Sequence, residues 1–187
     1  MHRKPRSNQL TADDRAYRAA QEGMVGDPEF QAMIAAVSDE VVNVIVTVGR
    51  TQDPMALGPQ PPNVHVERYI PQTLVLPYCD MVITHGGYNT IMGALSVGLP
   101  MVVVPIAADQ PDNAARCAAL GVGRVVQPFE RTTQAIGAAA REVLGQAMYG
   151  DNARRVRNEI RRLPGLQRGV ALLERLADEK APLTRSA

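Results

Sequence analysis

Residues 41–48 read VVNVIVTV, and every side chain in the run except Asn43 is β-branched. Such a segment is apolar on both sides of an extended backbone, which is how a strand covered on both faces reads. That kind of burial belongs to parallel sheets, whose crossover helices lie above and below. The rest of the chain repeats the theme. Short apolar runs at Val64–Val66, Met81–Thr84, Met101–Val104 and Val122–Val126 alternate with segments of helical composition at Thr90–Val97 and Pro111–Leu120. Ahead of the first run, Phe30, Met33, Ile34 and Val37 recur at helical spacing, with Pro28 where a first helical turn tolerates it. Strands alternating with helices imply right-handed crossovers and a doubly wound α/β parallel sheet. From Thr132 to about Asp178 the strands stop. That stretch predicts two or three C-terminal helices, with breaks near Gly150 and at Pro164-Gly165. Residues 1–26 are polar, with Asp13, Asp14, Arg15, Arg18 and Glu22 spaced as on an exposed helix. The expected organisation is an N-terminal extension (1–26), one α/β domain (27–178) and a short tail (179–187).

A chain of 187 residues carries one domain as a first expectation. Lys and Arg number 20 against 19 for Asp and Glu, a net charge of +1, so no general electrostatic case for nucleic acid exists. Cys79 and Cys117 form no CxxC pair, and His2, His65 and His85 are scattered, so neither disulfides nor a metal site are expected. No apolar stretch reaches a bilayer-spanning length, and the basic start (His2, Arg3, Lys4, Arg6) has no apolar region behind it. The expectation is a soluble cytoplasmic protein with no membrane span. Arg154, Arg155, Arg157, Arg161 and Arg162 form a basic cluster that reads as a solvated helix face.

The chemistry concentrates between Asp80 and Gln110. The strand Met81–Thr84 runs into His85-Gly86-Gly87-Tyr88-Asn89-Thr90 and then into an apolar-periodic helix. Glycines at a strand's carboxyl end let a ligand approach the backbone, and the helix behind them offers unpaired N–H groups and a positive dipole end. That combination suits an anion such as a diphosphate. His85, Asn89 and Thr90 add side-chain donors. One βα unit later, Asp109 and Gln110 follow the strand Met101–Val104 and reach the same rim, where they can hydrogen-bond hydroxyls. Tyr69-Ile70-Pro71-Gln72 follows Val64–Val66 and brings a ring and an amide there too.

Taken together in that order, with Gly98-Leu99-Pro100 between them, these segments resemble the donor-binding signature of the UDP-glucuronosyl/UDP-glucosyltransferase-like family of GT-B enzymes. GPQPPNVHVER at 58–68 and NAARCAALGVG at 113–123 are most similar to the bacterial, macrolide-type branch. The resemblance covers about residues 27–175. It implies the Rossmann-like C-terminal domain of such an enzyme, with Tyr69 stacking on the donor's base and the Ile70 backbone and Gln72 beside it. His85, Gly86, Gly87, Asn89 and Thr90 would hold the diphosphate, and Asp109 with Gln110 the sugar hydroxyls. The donor would be a UDP- or dTDP-hexose and the acceptor a small-molecule hydroxyl, with no cofactor and no metal. Many members carry a glutamate for the ribose hydroxyls where this chain has Gly93.

The resemblance also implies parts that these residues do not show. Members have an N-terminal domain that binds the acceptor and supplies a catalytic histidine, and nothing here resembles it, so the catalytic residue is unknown. Their donor domain opens with a strand that residues 1–26 do not match. The expected sheet therefore lacks its first strand, which in the doubly wound order 3-2-1-4-5-6 lies between Val41–Val48 and Met81–Thr84. Three arrangements fit: a shortened reading frame, a donor-binding subunit completed by a separate acceptor-binding chain, or a non-catalytic nucleotide-binding remnant. Unpaired strand edges predict marginal stability and self-association. A dinucleotide oxidoreductase is disfavoured, because no G-x-G-x-x-G follows an early strand.

Overall fold

The computed structural model describes residues 28–38, 40–180 and 182. The N-terminal extension and most of the tail lie outside them. Helix α1 (Pro28–Ser38) leads into strand β1 (Val44–Thr47), a 3-10 turn (Pro54–Leu57) and β2 (Val64–Glu67). A short helix α2 (Gln72–Val75) continues into a 3-10 turn (Leu76–Tyr78) and precedes β3 (Val82–Thr84). Then come α3 (Tyr88–Val97), β4 (Met101–Val103), α4 (Gln110–Leu120) and β5 (Gly123–Val125). After the 3-10 turn Pro128–Glu130 three helices close the chain: α5 (Thr133–Gly145), α6 (Ala147–Arg162) and α7 (Leu166–Glu179).

Every strand pair is parallel, as the alternation predicts. β1 pairs with β2 in the register Val44↔Val64 to Thr47↔Glu67. β3, β4 and β5 form a second sheet, with Val82 opposite Met101 and Met101 opposite Gly123. Among the described residues no strand joins β1 to β3, and the strand orders within the two sheets are β2-β1 and β3-β4-β5.

The three-stranded sheet is buried on both faces. Met101 and Val103 of β4 point into a cluster with Ile91, Leu95, Cys117, Val122 and Val156, while Val102 and Val104 enter another with Met33, Val37, Ile136 and Val143. The side chains of Met101, Val102 and Val103, and of Val104 just past the strand, are completely buried. Each contributes about 1.5 to 3 kcal/mol by leaving water. β1 departs from the expectation of two covered faces. Val46 is buried, but Ile45 is 49% exposed and Val41, outside the shortened strand, is fully exposed. Among the described residues a helix packs against only one side of the two-stranded sheet.

That helix is α1, and it belongs to two cores. Its Phe30 and Ile34 pack with Val46, Val48, Leu57 and Val64 of the two-stranded sheet. Its Met33, Ala36 and Val37 pack with β4 and α5. The crossing with α5 is close: a Cβ placed on Gly137 would stand 2.9 Å from the Ala36 carbonyl oxygen. Arg141 on α5 pairs with Glu40 just past α1.

The C-terminal break is displaced from its expected place. α5 ends at Gly145 and the chain turns at Gln146, whereas Gly150 lies inside α6. Buried Tyr149 donates to Glu142 Oε1 at 2.6 Å, and Arg154 passes over Gly150, so packing holds the helix through a residue of low helix propensity. The break at Pro164-Gly165 separates α6 from α7 as expected. No helix among the described residues is long and apolar enough to cross a membrane.

Gly137→Ala places a methyl group against backbone and is expected to cost about 1 to 3 kcal/mol despite alanine's better helix propensity. Gly145→Ala, where a Cβ meets nothing within 4 Å, is expected to be neutral or to stabilise by up to about 1 kcal/mol. Urea unfolding of the two variants checks the contrast.

Candidate functional site

The carboxyl ends of parallel strands share one rim, and the predicted site residues gather on three loops along it. On the central loop, the backbone after Thr84 turns through Gly86 at φ +94°, and Thr84 Oγ1 accepts the Gly86 N–H at 3.2 Å. A Cβ on Gly86 would fall 2.8 Å from Val103 Cγ1, so backbone conformation and space both require glycine. The His85 ring lies back over Gly87, its Nε2 2.7 Å from where a Cβ would stand. Burial holds the His85 pKa below its ordinary value, partly offset by the charge of Asp109. The ring is therefore neutral at pH 7 and keeps one N–H donor.

Helix α3 begins at Gly87 with no side-chain cap. The Thr90 and Ile91 N–H groups both return to the Gly87 carbonyl at 3.1 Å, which leaves those of Tyr88 and Asn89 without an intrahelical acceptor. Asn89 is exposed and Thr90 half-buried. Gln72 Nε2 donates to Thr90 Oγ1 at 3.1 Å, tying the Tyr69–Gln72 loop to the first turn of α3. Gly93 makes room for this contact, since a Cβ there would meet Gln72 Oε1 at 3.3 Å. Ile70 is half-buried on that loop.

The third loop is held by Gln110, whose buried Oε1 accepts from Ile106 N at 2.8 Å and Ala107 N at 2.9 Å. Two backbone donors fix which end of the amide is oxygen, so Nε2 is turned the other way. Asp109 stands at the start of α4 without capping it. Its carboxylate instead accepts from Asn113 Nδ2 at 2.8 Å, and the same nitrogen donates to the Gly86 carbonyl at 3.1 Å. Ala108, just before it, has φ +56°, a conformation costing a non-glycine residue about 1 kcal/mol, and it aims Asp109 along the rim.

Two residues join the site that the motif reading did not single out. Asn113 is the clamp between the Gly86 loop and Asp109, and its position one helical turn after Asp109 was the available signal. Arg50, past the end of β1, sets its guanidinium carbon 3.7 Å from the Tyr69 ring centroid. Tyr69 is 46% exposed. No sequence signal linked Arg50 to Tyr69, because the contact depends on the pairing of β1 with β2. The arginines of α6 lie elsewhere and are locally paired, Arg154 with Asp151 and Arg155 with Glu159. Among the described residues no three His, Cys, Asp or Glu side chains group as a metal site would need.

The chain is similar to known proteins over most of its length. Residues 31–176 match the family model described as erythromycin biosynthesis protein CIII-like, C-terminal domain. The chain is 33% identical over 152 residues to the demethyllactenocin mycarosyltransferase of Streptomyces fradiae, covering 81% of this chain and 33% of that protein. It is 32% identical over 155 residues to the NDP-glycosyltransferase YjiC of Bacillus subtilis strain 168, covering 82% and 40%. Among solved structures, spinosyn rhamnosyltransferase SpnG complexed with thymidine diphosphate superposes with a TM-score of 0.75 at 26% identity, over 86% of this chain and 43% of that one. The calicheamicin glycosyltransferase CalG4 gives 0.72 at 30% identity, over 82% and 40%. The chain thus spans about 40% or less of the curated relatives it matches.

The lowered pKa of His85 fixes a pH dependence. The unfolded chain binds a proton near pH 6.5 that the folded chain refuses, so this residue's contribution to stability is lost as pH falls below about 6.5 and levels off below the folded value. His85→Gln is expected to flatten the fall in unfolding free energy between pH 7 and 5. Asn113→Ala is expected to cost about 1 to 3 kcal/mol by leaving a buried carbonyl unpaired. Denaturant titrations across pH measure both.

Proposed function

The chain belongs to the erythromycin biosynthesis protein CIII-like C-terminal domain family, the C-terminal domains of NDP-sugar glycosyltransferases with the GT-B fold, and on that premise we propose that its rim binds a UDP- or dTDP-hexose. The observation that carries this reading is the uncapped N-terminus of α3 behind Gly86-Gly87, clamped by Gln72 on one side and Asn113 on the other. Free N–H groups at a helix start, with no side chain competing for them, form a preorganised anion site.

In this reading the diphosphate sits on the N–H groups of Tyr88 and Asn89, with His85, Asn89 and Thr90 donating to its oxygens. The Thr90 hydroxyl already accepts from Gln72, so its own hydrogen is free for the ligand. The base stacks on the face of Tyr69 that Arg50 leaves open, beside the Ile70 backbone. Asp109 accepts from a sugar hydroxyl and the outward amide of Gln110 donates to another. When an acceptor oxygen attacks the anomeric carbon, the glycosidic bond to phosphate breaks and the nucleoside diphosphate leaves with the electron pair. The helix terminus and His85 stabilise the charge that develops on that leaving group. The acceptor's proton must go to a base outside this rim. Transfer to a small-molecule hydroxyl therefore requires an acceptor-binding domain or chain in addition to residues 28–180.

Calorimetric titration with dTDP and UDP tests the reading, and saturable binding is expected. His85→Ala and Thr90→Ala are each expected to weaken it by about 1 to 3 kcal/mol, roughly a 5- to 150-fold rise in Kd. Bound diphosphate raises the proton affinity of His85, so binding is expected to tighten as pH falls from 8 to 6. Absence of heat at millimolar nucleotide, with the protein shown to be folded, contradicts the proposal. Purified chain incubated with nucleotide-sugar and a phenolic acceptor is expected to yield no glycoside.

A further inference from the structure

On the basis of the donor site proposed above, we propose that Asn113 is a positioning residue for the donor sugar. It holds the Asp109 carboxylate toward the Gly86 loop, so that a sugar hydroxyl at Asp109 and a diphosphate beside Gly86 meet one rigid unit. The Asn113 side chain is buried, and its Nδ2 donates to Asp109 Oδ2 at 2.8 Å and to the Gly86 carbonyl at 3.1 Å. A primary amide has two N–H groups, so each acceptor takes one. The amide cannot turn away from Asp109 without also stranding the Gly86 carbonyl. Backbone adds a third tie, since the Asn113 N–H donates to the Asp109 carbonyl at 3.1 Å.

The helix that Asp109 begins does not hold its carboxylate. An aspartate that caps a helix has extended backbone and turns its side chain back onto the N–H groups of the first turn. Asp109 has helical angles instead, φ −80° and ψ −4°, and makes no such bond on α4. Nor is it needed to brace its own loop, because Gln110 Oε1 already accepts from Ile106 and Ala107. Asp109 is exposed, and among the described residues its Oδ1 has no hydrogen-bond partner. Asn113 is thus what fixes an otherwise loose carboxylate, and it leaves one oxygen open to a ligand. The charge of Asp109 is felt at His85, as expected for a carboxylate turned toward that loop. Without the amide the carboxylate rotates freely, and ordering it has to be done by the ligand at a cost in affinity.

The test compares each nucleotide-sugar with its own nucleoside diphosphate, so that effects on the diphosphate site cancel. Calorimetric titration of the 187-residue chain with dTDP and dTDP-glucose, and with UDP and UDP-glucose, gives the two affinity ratios. Asp109→Ala is expected to lower the ratio about tenfold, and Asn113→Ala by a comparable factor. In the Asp109→Ala background, Asn113→Ala is expected to change the ratio no further. A residue that only stabilises the loop would weaken both ligands equally, and that result overturns the proposal. So does a ratio that falls as much in the Asp109→Ala background as in the unaltered chain. A ratio unmoved by Asp109→Ala for both pairs overturns it too, while saturable dTDP binding then leaves the diphosphate site standing; no dTDP binding to folded chain removes both. The Asn113 side-chain amide resonances of the unaltered chain need no variant. Nucleotide-sugar is expected to shift them further than its diphosphate does, and equal shifts overturn the proposal.

Discussion

The contact between α1 and α5 carries the architecture, because among the described residues no strand pairing connects the two-stranded sheet to the three-stranded one. α1 places Phe30 and Ile34 in one core and Met33, Ala36 and Val37 in the other, and Val44 of β1 packs against both, so the two cores share an apolar bridge. The approach of Gly137 to the Ala36 carbonyl and the Glu40–Arg141 pair fix how α1 crosses α5. Helix packing thereby sets how the two sheets stand to one another.

The functional rim lies on the firm side of this join. β4 is completely buried and holds β3 and β5 in register, so the loops that follow β3 and β4 leave a rigid base. Two side-chain amides then lock the loops together, Gln72 to Thr90 on one flank and Asn113 to both Gly86 and Asp109 on the other. A helix start with free N–H groups stays open between them, and that is the arrangement by which a protein holds a diphosphate without a metal or a lysine. The Tyr69–Arg50 side starts from the two-stranded sheet, and the Gln72–Thr90 bond joins its loop directly to the first turn of α3.

How much of this was legible in the sequence depended on whether local pattern or tertiary contact decided the outcome. The run Met101–Val104 reads as a strand and is one, covered on one face by α3, α4 and α6 and on the other by α1 and α5. VVNVIVTV reads as a strand covered on both faces, yet Ile45 is exposed and among the described residues only one face is packed by a helix, since hydrophobic pattern records what a strand is suited to cover. Gly150 looked like a helix break, but the Tyr149–Glu142 bond and the passage of Arg154 hold the helix, and the chain turns at Gln146. His85-Gly86-Gly87 was readable because positive φ and close approach leave glycine as the only fitting residue. Asn113 offered only its spacing from Asp109, and Arg50 offered no signal, as its contact with Tyr69 joins residues distant in sequence.

The central claim is that the rim from His85 to Thr90, with Asp109 and Asn113, is a nucleoside diphosphate site. Backbone amide chemical shifts recorded during titration with dTDP test it most directly, because each amide reports its own surroundings. The account predicts saturable shifts at Gly86, Gly87, Tyr88, Asn89 and Thr90, with smaller ones at Asp109 and Asn113. Shifts confined to the arginine face of α6, or an unchanged spectrum at saturating nucleotide, would contradict it.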